Sequence, residues 1–375
     1  MRLRRARTLV LTFVDATPIL RNFMTRHAMP VNGFALDLVS RADRWQTPED
    51  FRVVYAGVPP ALIETYLRGL TEQGFLVVEG TPAAAIDAEY ETFWQWDTAA
   101  MYHFGVKDPP WLNAQQSAEW MHHVSATKPA VPLCTTNDGL ENVVAMEPPD
   151  LEHGLLSIMN RRRSVRSYVS EPVSRRALGD CLFAGLGITG LLNTRLPGED
   201  PRVLLKMTPS GGARNPYEGF VYARRVADLD FGLYHYSAID HTLGLLTKTP
   251  VVTTSQLFAG QHWTEGAAFA ILLVANFGRT MWKYPHPNAY RVVLMEAGHI
   301  GQNVALAAAE HGLSATPTAA INDTAAQALL GLDWVRQSLV YAILVGKPQP
   351  DAFELENFTP REQSRTPSPS SFTPS

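Results

Sequence analysis

Four arginines stand within six residues of the sequence, in the segment RRRSVRSY that spans residues 161–168 and is called here the arginine segment. A guanidinium group pairs with phosphate through two parallel hydrogen bonds, and Ser164 adds a hydroxyl donor beside Arg162, Arg163 and Arg166. The chain as a whole is acidic, with a formal net charge of −4, so a general excess of basic residues does not explain the cluster. The segment is either an anion site or an exposed basic surface.

A second group of candidate residues lies in MTPSGGARNPYEGFV, residues 207–221. Its glycine loop, residues 209–214, contains Pro209, Ser210, Gly211, Gly212 and Arg214. Two consecutive glycines allow backbone N–H groups to approach a flat or anionic ligand without interference from a Cβ atom. The alternative is an ordinary tight loop.

The third group is the Lys–Tyr pair, Lys283 and Tyr284, which stands in WKYPHPNAYR just before a predicted long helix. If the two side chains are buried together they can exchange a proton, and a neutral lysine or a tyrosinate is a usable base. Lowering a lysine pKa from about 10.4 to near 7 requires roughly 4 to 5 kcal/mol, which only a desolvated site supplies. An exposed pair would have no such role.

One glycine pattern is a false lead. Gly185, Gly187 and Gly190 form GLGITG, which matches the spacing of a dinucleotide fingerprint. Such a fingerprint follows a strand and opens a helix, whereas these glycines end a predicted helix that begins after the cap residue Ser174. We therefore predict a helix terminus and a turn here.

Length and composition set limits on the protein class. At 375 residues and 46% hydrophobic content the chain can bury the cores of two domains. Its two cysteines, Cys134 and Cys181, cannot form a disulfide framework, which fits a reducing cytoplasm. The apolar run at residues 9–14 is too short for a signal peptide and predicts a strand. The longest run, residues 267–275, is far below the roughly 20 residues of a membrane helix, so we expect a soluble cytoplasmic protein.

Residues 1–90 have the helix and strand spacing of a winged-helix domain. Helices are predicted at 34–39, after the cap residues Thr47 and Asp50, and after Pro59, with a wing strand at 75–78. The third helix carries two glutamates and one arginine, the opposite of what phosphate contacts require. Peptide docking or a structural role is therefore favoured over DNA binding.

For the remainder of the chain the sequence predicts a connector, an α+β domain and a tail. Residues 91–150 contain the aromatic connector, residues 94–111, and a proline-interrupted linker at 125–150. In the domain at 151–361, the prediction is a helix after Ser174 followed by a strand at 219–226, a hairpin at 232–246, a strand at 269–277, a helix at 290–311 and a strand at 339–345. The tail at 362–375 is predicted to be disordered.

In sequence order, these segments resemble the FMN-dependent nitroreductase superfamily, and within it the SagB-type thiazole and oxazole dehydrogenases. The resemblance covers residues 155–347 and rests on R-R-x-S-x-R, PSGGARNPYE, GLYHY, WKY before AGHxGQN, and GLSATPTAAI. The segment QWDTAAMYHF also resembles the one that precedes this domain in SagB-type proteins. The resemblance implies an α+β nitroreductase-like fold, with a central, mostly antiparallel sheet, surrounding helices and an interleaved homodimer.

The resemblance also implies roles for the candidate residues. The arginine segment would hold the FMN phosphate and ribityl chain, joined by Lys347, and the glycine loop would approach the isoalloxazine ring from the partner subunit. Residues 316–320 would run along the ring, with the N–H of Ala319 or Ala320 near flavin N5. The implied cofactor contacts are Arg162, Arg163, Ser164, Arg166, Pro209, Ser210, Gly211, Gly212, Arg214, Pro317, Thr318, Ala319, Ala320 and Lys347.

The activity implied by the resemblance is oxidation of peptide thiazoline or oxazoline rings to thiazole or oxazole. Lys283 would remove the acidic Cα proton, Tyr284 would set its protonation state, and the FMN would receive the hydride and be reoxidised by O2. The expected partners are a second copy of the chain, a modified precursor peptide and a cyclodehydratase; no metal, nucleic acid or membrane is expected. The alternatives are an NAD(P)H-dependent nitro or quinone reductase of the same fold, a non-catalytic peptide-binding scaffold and a DNA-binding regulator.

Overall fold

The structure, a computed structural model, describes residues 1–128, 149–193, 202–350 and 352. The predicted disordered tail and most of the predicted linker lie outside the described residues. No helix within the described ranges is both long enough and apolar enough to cross a membrane.

The N-terminal part combines two small sheets with three helices. Its elements are β1 (Leu3–Arg5), β2 (Leu9–Val14), β3 (Thr17–Asn22), β4 (His27–Pro30), α1 (Gly33–Arg41), α2 (Pro48–Val54), α3 (Pro60–Glu72) and β5 (Leu76–Val78). Strands β2, β3 and β4 form an antiparallel meander, and β5 pairs with β1. The predicted strand at 9–14 and the three predicted helices are confirmed. The start of α2 is fixed by local chemistry, because Thr47 and Asp50 form a reciprocal capping box.

Three helices connect this part to the rest of the chain: α4 (Pro82–Phe93), α5 (Asp97–Gly105) and α6 (Ala114–Thr127). Helix α4 continues across the predicted boundary at residue 90, and α6 extends into the predicted linker. Of the connector aromatics, Trp94, Trp96 and Phe104 are buried in the same hydrophobic cluster as strand 269–276, as predicted for packing residues, whereas Tyr102 and Trp111 are exposed. The connector is therefore part of the C-terminal core.

The C-terminal part is built on a six-stranded sheet. Its elements are α7 (Gly154–Arg161), α8 (Arg175–Leu186), β6 (Ile188–Asn193), β7 (Arg202–Lys206), β8 (Tyr217–Ala223), β9 (Gly232–Ser237), β10 (Thr242–Thr247), α9 (Thr254–Leu257), β11 (Phe269–Asn276), α10 (Phe277–Met281), α11 (Ala289–Glu310), β12 (Ser314–Thr318), α12 (Asp323–Leu330) and β13 (Gln337–Gly346). The strand order is β10-β9-β8-β11-β13-β12, and every neighbouring pair is antiparallel. The predicted α+β fold with an antiparallel sheet is confirmed.

Helices cover both faces of this sheet. Ile271 and Leu273 of β11 face the cluster that contains residues of α8 and α11, whereas Leu272 and Val274 face the cluster under α9 and α12. Successive strand residues point to opposite faces, so a strand covered on both sides reads as a continuous apolar run. This explains the uninterrupted FAILLVAN sequence of β11.

Small residues bring α11 close to its neighbours. A Cβ at Gly301 would lie 2.7 Å from Tyr341 Cε1 of β13, and one at Gly185 of α8 would lie 2.9 Å from Val304 Cγ2. The small residues of α11 thus pack closely against α8 and the sheet within the chain. Gly187 caps the C-terminus of α8, as predicted, but the expected turn is wrong because β6 begins at the next residue.

Candidate active site

The arginine segment lies against β12, the edge strand of the large sheet. Ser314 Oγ donates to Arg163 O at 2.8 Å and accepts from Val165 N at 3.1 Å, and Thr316 Oγ1 donates to Val165 O at 2.6 Å. Side chains of β12 thus hold the arginine segment along the open edge of the sheet, at the position that a further strand would occupy. This arrangement places two predicted groups, the arginine segment and residues 316–320, side by side.

Two arginines of the segment have no acidic partner. Within the described residues, the Arg162 guanidinium bonds only to Ser164 Oγ, at 3.4 Å, and the Arg166 guanidinium lies 5.6 Å from the Trp263 ring centre. Arg163 differs, because it donates to the carbonyls of Asn160 and Arg162 at the end of α7. The Arg162 and Arg166 guanidinium groups therefore remain able to bind an anion, with Ser164 exposed between them.

At the end of β12 one backbone donor is open. Ala320 N donates to Thr318 Oγ1 at 3.1 Å, whereas Ala319 is exposed and its N–H has no hydrogen-bond partner among the described residues. Lys347 follows β13 beside the arginine segment, where its carbonyl accepts from Val169 N at 3.0 Å. Its ammonium group forms an exposed ion pair with Glu171. Lys347 is therefore near the segment but already partnered.

The glycine loop has an unusual backbone held by specific contacts. Gly212, Ala213 and Asn215 have φ values of +60°, +54° and +47°, a region that residues other than glycine rarely adopt. Ser210 Oγ donates to Glu296 Oε2 of α11 at 2.7 Å and accepts from Asn215 N at 2.8 Å. The loop is therefore fixed on the side of α11.

Tyr284 of the Lys–Tyr pair lies against this loop. A Cβ added to Gly212 would collide with the Tyr284 hydroxyl, so the absence of a side chain at Gly212 gives that hydroxyl its space. The Arg214 guanidinium lies 4.3 Å from the Trp282 ring centre and donates through Nε to Arg279 O at 2.8 Å, which fixes the residues just before Lys283. The structure thus brings together two groups that are more than sixty positions apart in the sequence.

Trp96 of the aromatic connector supports the pair from behind. Its fully buried indole donates through Nε1 to Tyr284 O at 2.8 Å, and the Trp94 indole makes a matching bond to Val335 O at 2.8 Å. The sequence indicated packing aromatics here but not this contact. The specific signal was a tryptophan, whose N–H needs a partner when it is buried.

We predict that Trp96→Phe keeps the aromatic packing but leaves the Tyr284 carbonyl without its partner. An unsatisfied buried acceptor costs about 1–3 kcal/mol, so urea denaturation should show a loss of that size. Because the lost bond holds the Lys–Tyr pair, turnover should fall more than FMN affinity does. Trp94→Phe is the matched control, since its bond goes to Val335, and equal effects of both variants on turnover would contradict a special role for Trp96.

Two charged residues near the loop were not predicted as site residues. Glu296 is buried, and burial raises its pKa to about 6 against the opposing effects of the Ser210 hydroxyl, Lys206 and the Gly211 N–H. Burial also lowers the pKa of Lys206, although Glu218 and Glu296 favour its charged form. In the sequence Glu296 was visible only as one acidic residue inside the helix predicted at 290–311.

The two halves of the predicted cofactor site are separated within one chain. Ser210 contacts Glu296, whereas Arg161 lies 3.8 Å from Glu310, fourteen residues further along α11. At about 1.5 Å per residue this separation is roughly 21 Å along the helix axis. The arginine segment with β12 and the glycine loop with the Lys–Tyr pair are therefore two subsites.

The residues of the first subsite fit FMN. Two arginines that have no acidic partner in the described part of the chain and an exposed serine suit a phosphate group, and the open Ala319 N–H suits a ring nitrogen acceptor. Glycines in the second subsite permit close approach of a flat ring. In contrast, the described residues contain no group of three or more His, Cys, Asp or Glu side chains that could hold a metal ion.

Comparison with known proteins gives a consistent result. The nitroreductase family model matches residues 159–347. MJ1384 of Methanocaldococcus jannaschii, a protein named as a nitroreductase, is 32% identical over 191 residues, which cover 50% of this chain and 90% of that protein. The trifolitoxin-processing protein TfxB of Rhizobium leguminosarum bv. trifolii is 30% identical over 162 residues, 42% of this chain and 43% of TfxB. The chain thus spans less than half of TfxB.

Among solved structures, the E. coli microcin synthetase McbBCD complex with truncated pro-MccB17 bound contains a chain with a TM-score of 0.47 and 18% identity. The match covers 70% of this chain and 97% of that one. Proteins of the family that the model describes typically bind FMN. Its match spans half of the sequence and includes the arginine segment, the glycine loop and the Lys–Tyr pair. The chain belongs to the nitroreductase family.

Proposed function

We propose that the protein is an FMN-dependent dehydrogenase that oxidises azoline rings in a peptide to azoles. The observation that carries this proposal is the contact of Tyr284 with the glycine loop, because it puts the residue adjacent to Lys283 beside the place where a flavin ring would lie. The similarity to TfxB, which is named for processing trifolitoxin, is consistent with it.

FMN, when bound, would accept a hydride from the azoline ring and pass the electrons on to O2. The chain's own part is to remove the proton. Lys283 would take the acidic Cα proton of the ring as the general base, and the adjacent Tyr284 phenol would act with it. Trp96, Arg214 and Gly212 hold this pair in place.

For the cofactor, we propose that Arg162, Ser164 and Arg166 bind the phosphate and ribityl chain, and that the Ala319 N–H donates to flavin N5. Ala319 is preferred over Ala320 because the Ala320 N–H already has a partner. Pro317 and Thr318 would line the ring. Arg163 would support the segment through its carbonyl contacts, and Lys347 would contribute only if it leaves Glu171.

We further propose a homodimer in which the glycine loop of one chain reaches the flavin held by the other. The separation of about 21 Å along α11 between the Ser210 and Arg161 contacts supports this arrangement, as do exposed apolar side chains on α7, β6, β7 and α11. These residues are Leu155, Leu156, Leu191, Leu192, Leu204, Leu205, Leu294 and Met295. Clustered exposed apolar residues mark interaction surfaces. Sedimentation of the FMN-bound protein should show a dimer, and a monomer that binds FMN fully would contradict it.

The N-terminal winged-helix-like part is proposed to dock the peptide. Strand β4 is an edge of its sheet, and a cleft of about 300 Å³ between β4 and α3 is lined by Met29, Val31, Tyr66 and Leu70. An open edge strand beside an apolar groove can bind an extended peptide as an added strand. The acidic residues Glu64 and Glu72 on α3 oppose DNA binding.

Thr65 is exposed and lines this cleft, so Thr65→Trp should block it without disturbing the core. We expect a KM for the full-length peptide raised about tenfold or more, with FMN affinity unchanged. Arg68→Trp on the outer side of α3 is the matched control. If both variants process the peptide as the wild type does, the N-terminal part is structural rather than a docking site.

The proposed activity is tested by incubating the FMN-bound protein with an azoline-containing peptide in air, without NAD(P)H. Mass spectrometry should show the loss of two hydrogens per ring oxidised. A protein that carries FMN but leaves the peptide unchanged would point to the alternative, an NAD(P)H-dependent reductase. A protein that binds peptide but no FMN would instead be a non-catalytic scaffold.

A further inference from the structure

The glycine loop carries backbone strain that its own sequence does not explain. Ala213 and Asn215 both have left-handed backbone conformations, next to Gly212 with φ of +60°. Such conformations persist only where the surrounding structure enforces them. The enforcing contacts converge on Ser210, whose hydroxyl accepts from Asn215 N and donates to Glu296.

Glu296 connects these contacts to α11. Its side chain projects from the middle of α11, is 5% exposed and accepts a hydrogen bond from the Ser210 hydroxyl, and the Gly211 N–H faces it and favours its ionised form. A carboxylate has two acceptor oxygens and no donor, so it can satisfy both groups at once. A glutamine at this position offers one oxygen and would present an NH2 group to the other donor.

Other charged and titratable groups face the same place. Lys206 of β7 and Tyr217 of β8 face the carboxylate, and Glu218 of β8 and Arg279 of α10 face Lys206. Arg279 forms an ion pair with Glu218 and donates a hydrogen bond to Asn215 O, so Lys206 is the cation that can balance the negative charge of Glu296. The cluster therefore ties three elements to the loop.

We propose that Glu296 is a positioning residue whose ionised carboxylate holds the glycine loop in the form that receives the flavin and, through Gly212, sets the place of the Tyr284 hydroxyl. This inference rests on the proposed function, because it assumes that the loop contacts FMN. It assigns a role to a residue that does not itself touch the cofactor or substrate.

The pH dependence follows from the same geometry. The pKa of Glu296 is raised by burial to about 6 from an ordinary value of 4.5, so the folded protein keeps this proton to a higher pH than the unfolded chain does and carries the ionised carboxylate above about pH 6. Protonation removes the acceptor for one of the two donors and frees the loop. FMN affinity should therefore weaken as the pH falls through about 6. Folding shows the opposite trend, because ionising the buried carboxylate destabilises the folded state as the pH rises from about 4.5 to 6.

The test uses the full-length protein and FMN, with affinity measured by quenching of FMN fluorescence between pH 5 and 8. We expect Glu296→Gln to weaken FMN binding about tenfold at pH 8 and to abolish the step near pH 6, while its urea midpoint at pH 8 stays equal to or above that of the wild type. Ser210→Ala should weaken binding similarly, and the double variant should be little worse than either single one. Glu72→Gln, an exposed carboxyl on α3, is the control.

The possible outcomes distinguish a failure of the proposed function from a failure of the positioning role of Glu296. If the wild type binds no FMN, the proposed function fails. If the wild type binds FMN and Glu296→Gln binds it equally with the same pH step, the positioning role fails. If Glu296→Gln loses FMN together with a large drop in urea midpoint, the residue is merely structural and the inference is overturned.

Discussion

Lys283→Ala is expected to abolish azoline oxidation while FMN stays bound. General base catalysis contributes about 10²- to 10⁴-fold to rate, and this substitution removes the base without touching the arginine segment. Lys283→Arg should be equally inactive, because a guanidinium cannot be deprotonated in proteins. Turnover is measured by mass spectrometry of the peptide, and bound flavin by its visible absorbance.

The matched control for this prediction is Lys248→Ala, which removes a lysine whose exposed ion pair with Asp230 lies on the β9–β10 hairpin. It should turn over like the wild type. Full activity of Lys283→Ala would rule out Lys283 as the base and direct attention to Tyr284 or Lys206 instead.

Replacing both Arg162 and Arg166 by alanine is expected to weaken FMN binding by about a hundredfold or more. Each charge-assisted hydrogen bond to a phosphate contributes roughly 1.5–3 kcal/mol. Neither arginine is paired with an acidic residue among the described residues, so both guanidinium groups are available to the phosphate. Fluorescence titration of the apoprotein with FMN measures the effect. Riboflavin, which lacks the phosphate, should bind the double variant and the wild type about equally.

Arg161→Ala is the control for the arginine segment. It removes the same charge one residue away, but Arg161 is directed toward Glu310 at 3.8 Å. A specific phosphate site predicts little change for this variant. An equal loss of affinity in Arg161→Ala and in either single variant would show a general electrostatic effect and would remove the assignment of Arg162 and Arg166.

Local chemistry made part of the fold predictable from sequence. The start of α2 follows from Thr47 and Asp50, which satisfy each other's backbone groups within three residues. Strand β11 was predictable because its sequence is a nearly continuous apolar run, which is the pattern of a strand covered on both faces. Strand β12 was missed because it is short and contains Pro317, a residue tolerated on an edge strand.

The site itself was predictable only in pieces. The arginine segment, the glycine loop and the Lys–Tyr pair could be identified from residue types and their order, but not their distances. The contact of Gly212 with Tyr284 and the bond from Trp96 to Tyr284 join positions far apart in the chain, and no local pattern encodes them. Glu296 was missed for the same reason, since its role depends on a loop 86 positions earlier.

The proposed activity requires that an azoline substrate, and not a nicotinamide cofactor, reduces the flavin. The most direct test is stopped-flow absorbance of the FMN-bound protein without oxygen, mixed separately with azoline peptide and with NADPH. We predict rapid loss of the oxidised flavin absorbance with the peptide, its return on admission of O2, and little change with NADPH. Rapid bleaching by NADPH with no response to the peptide would contradict the claim and identify the protein as a reductase of the same family.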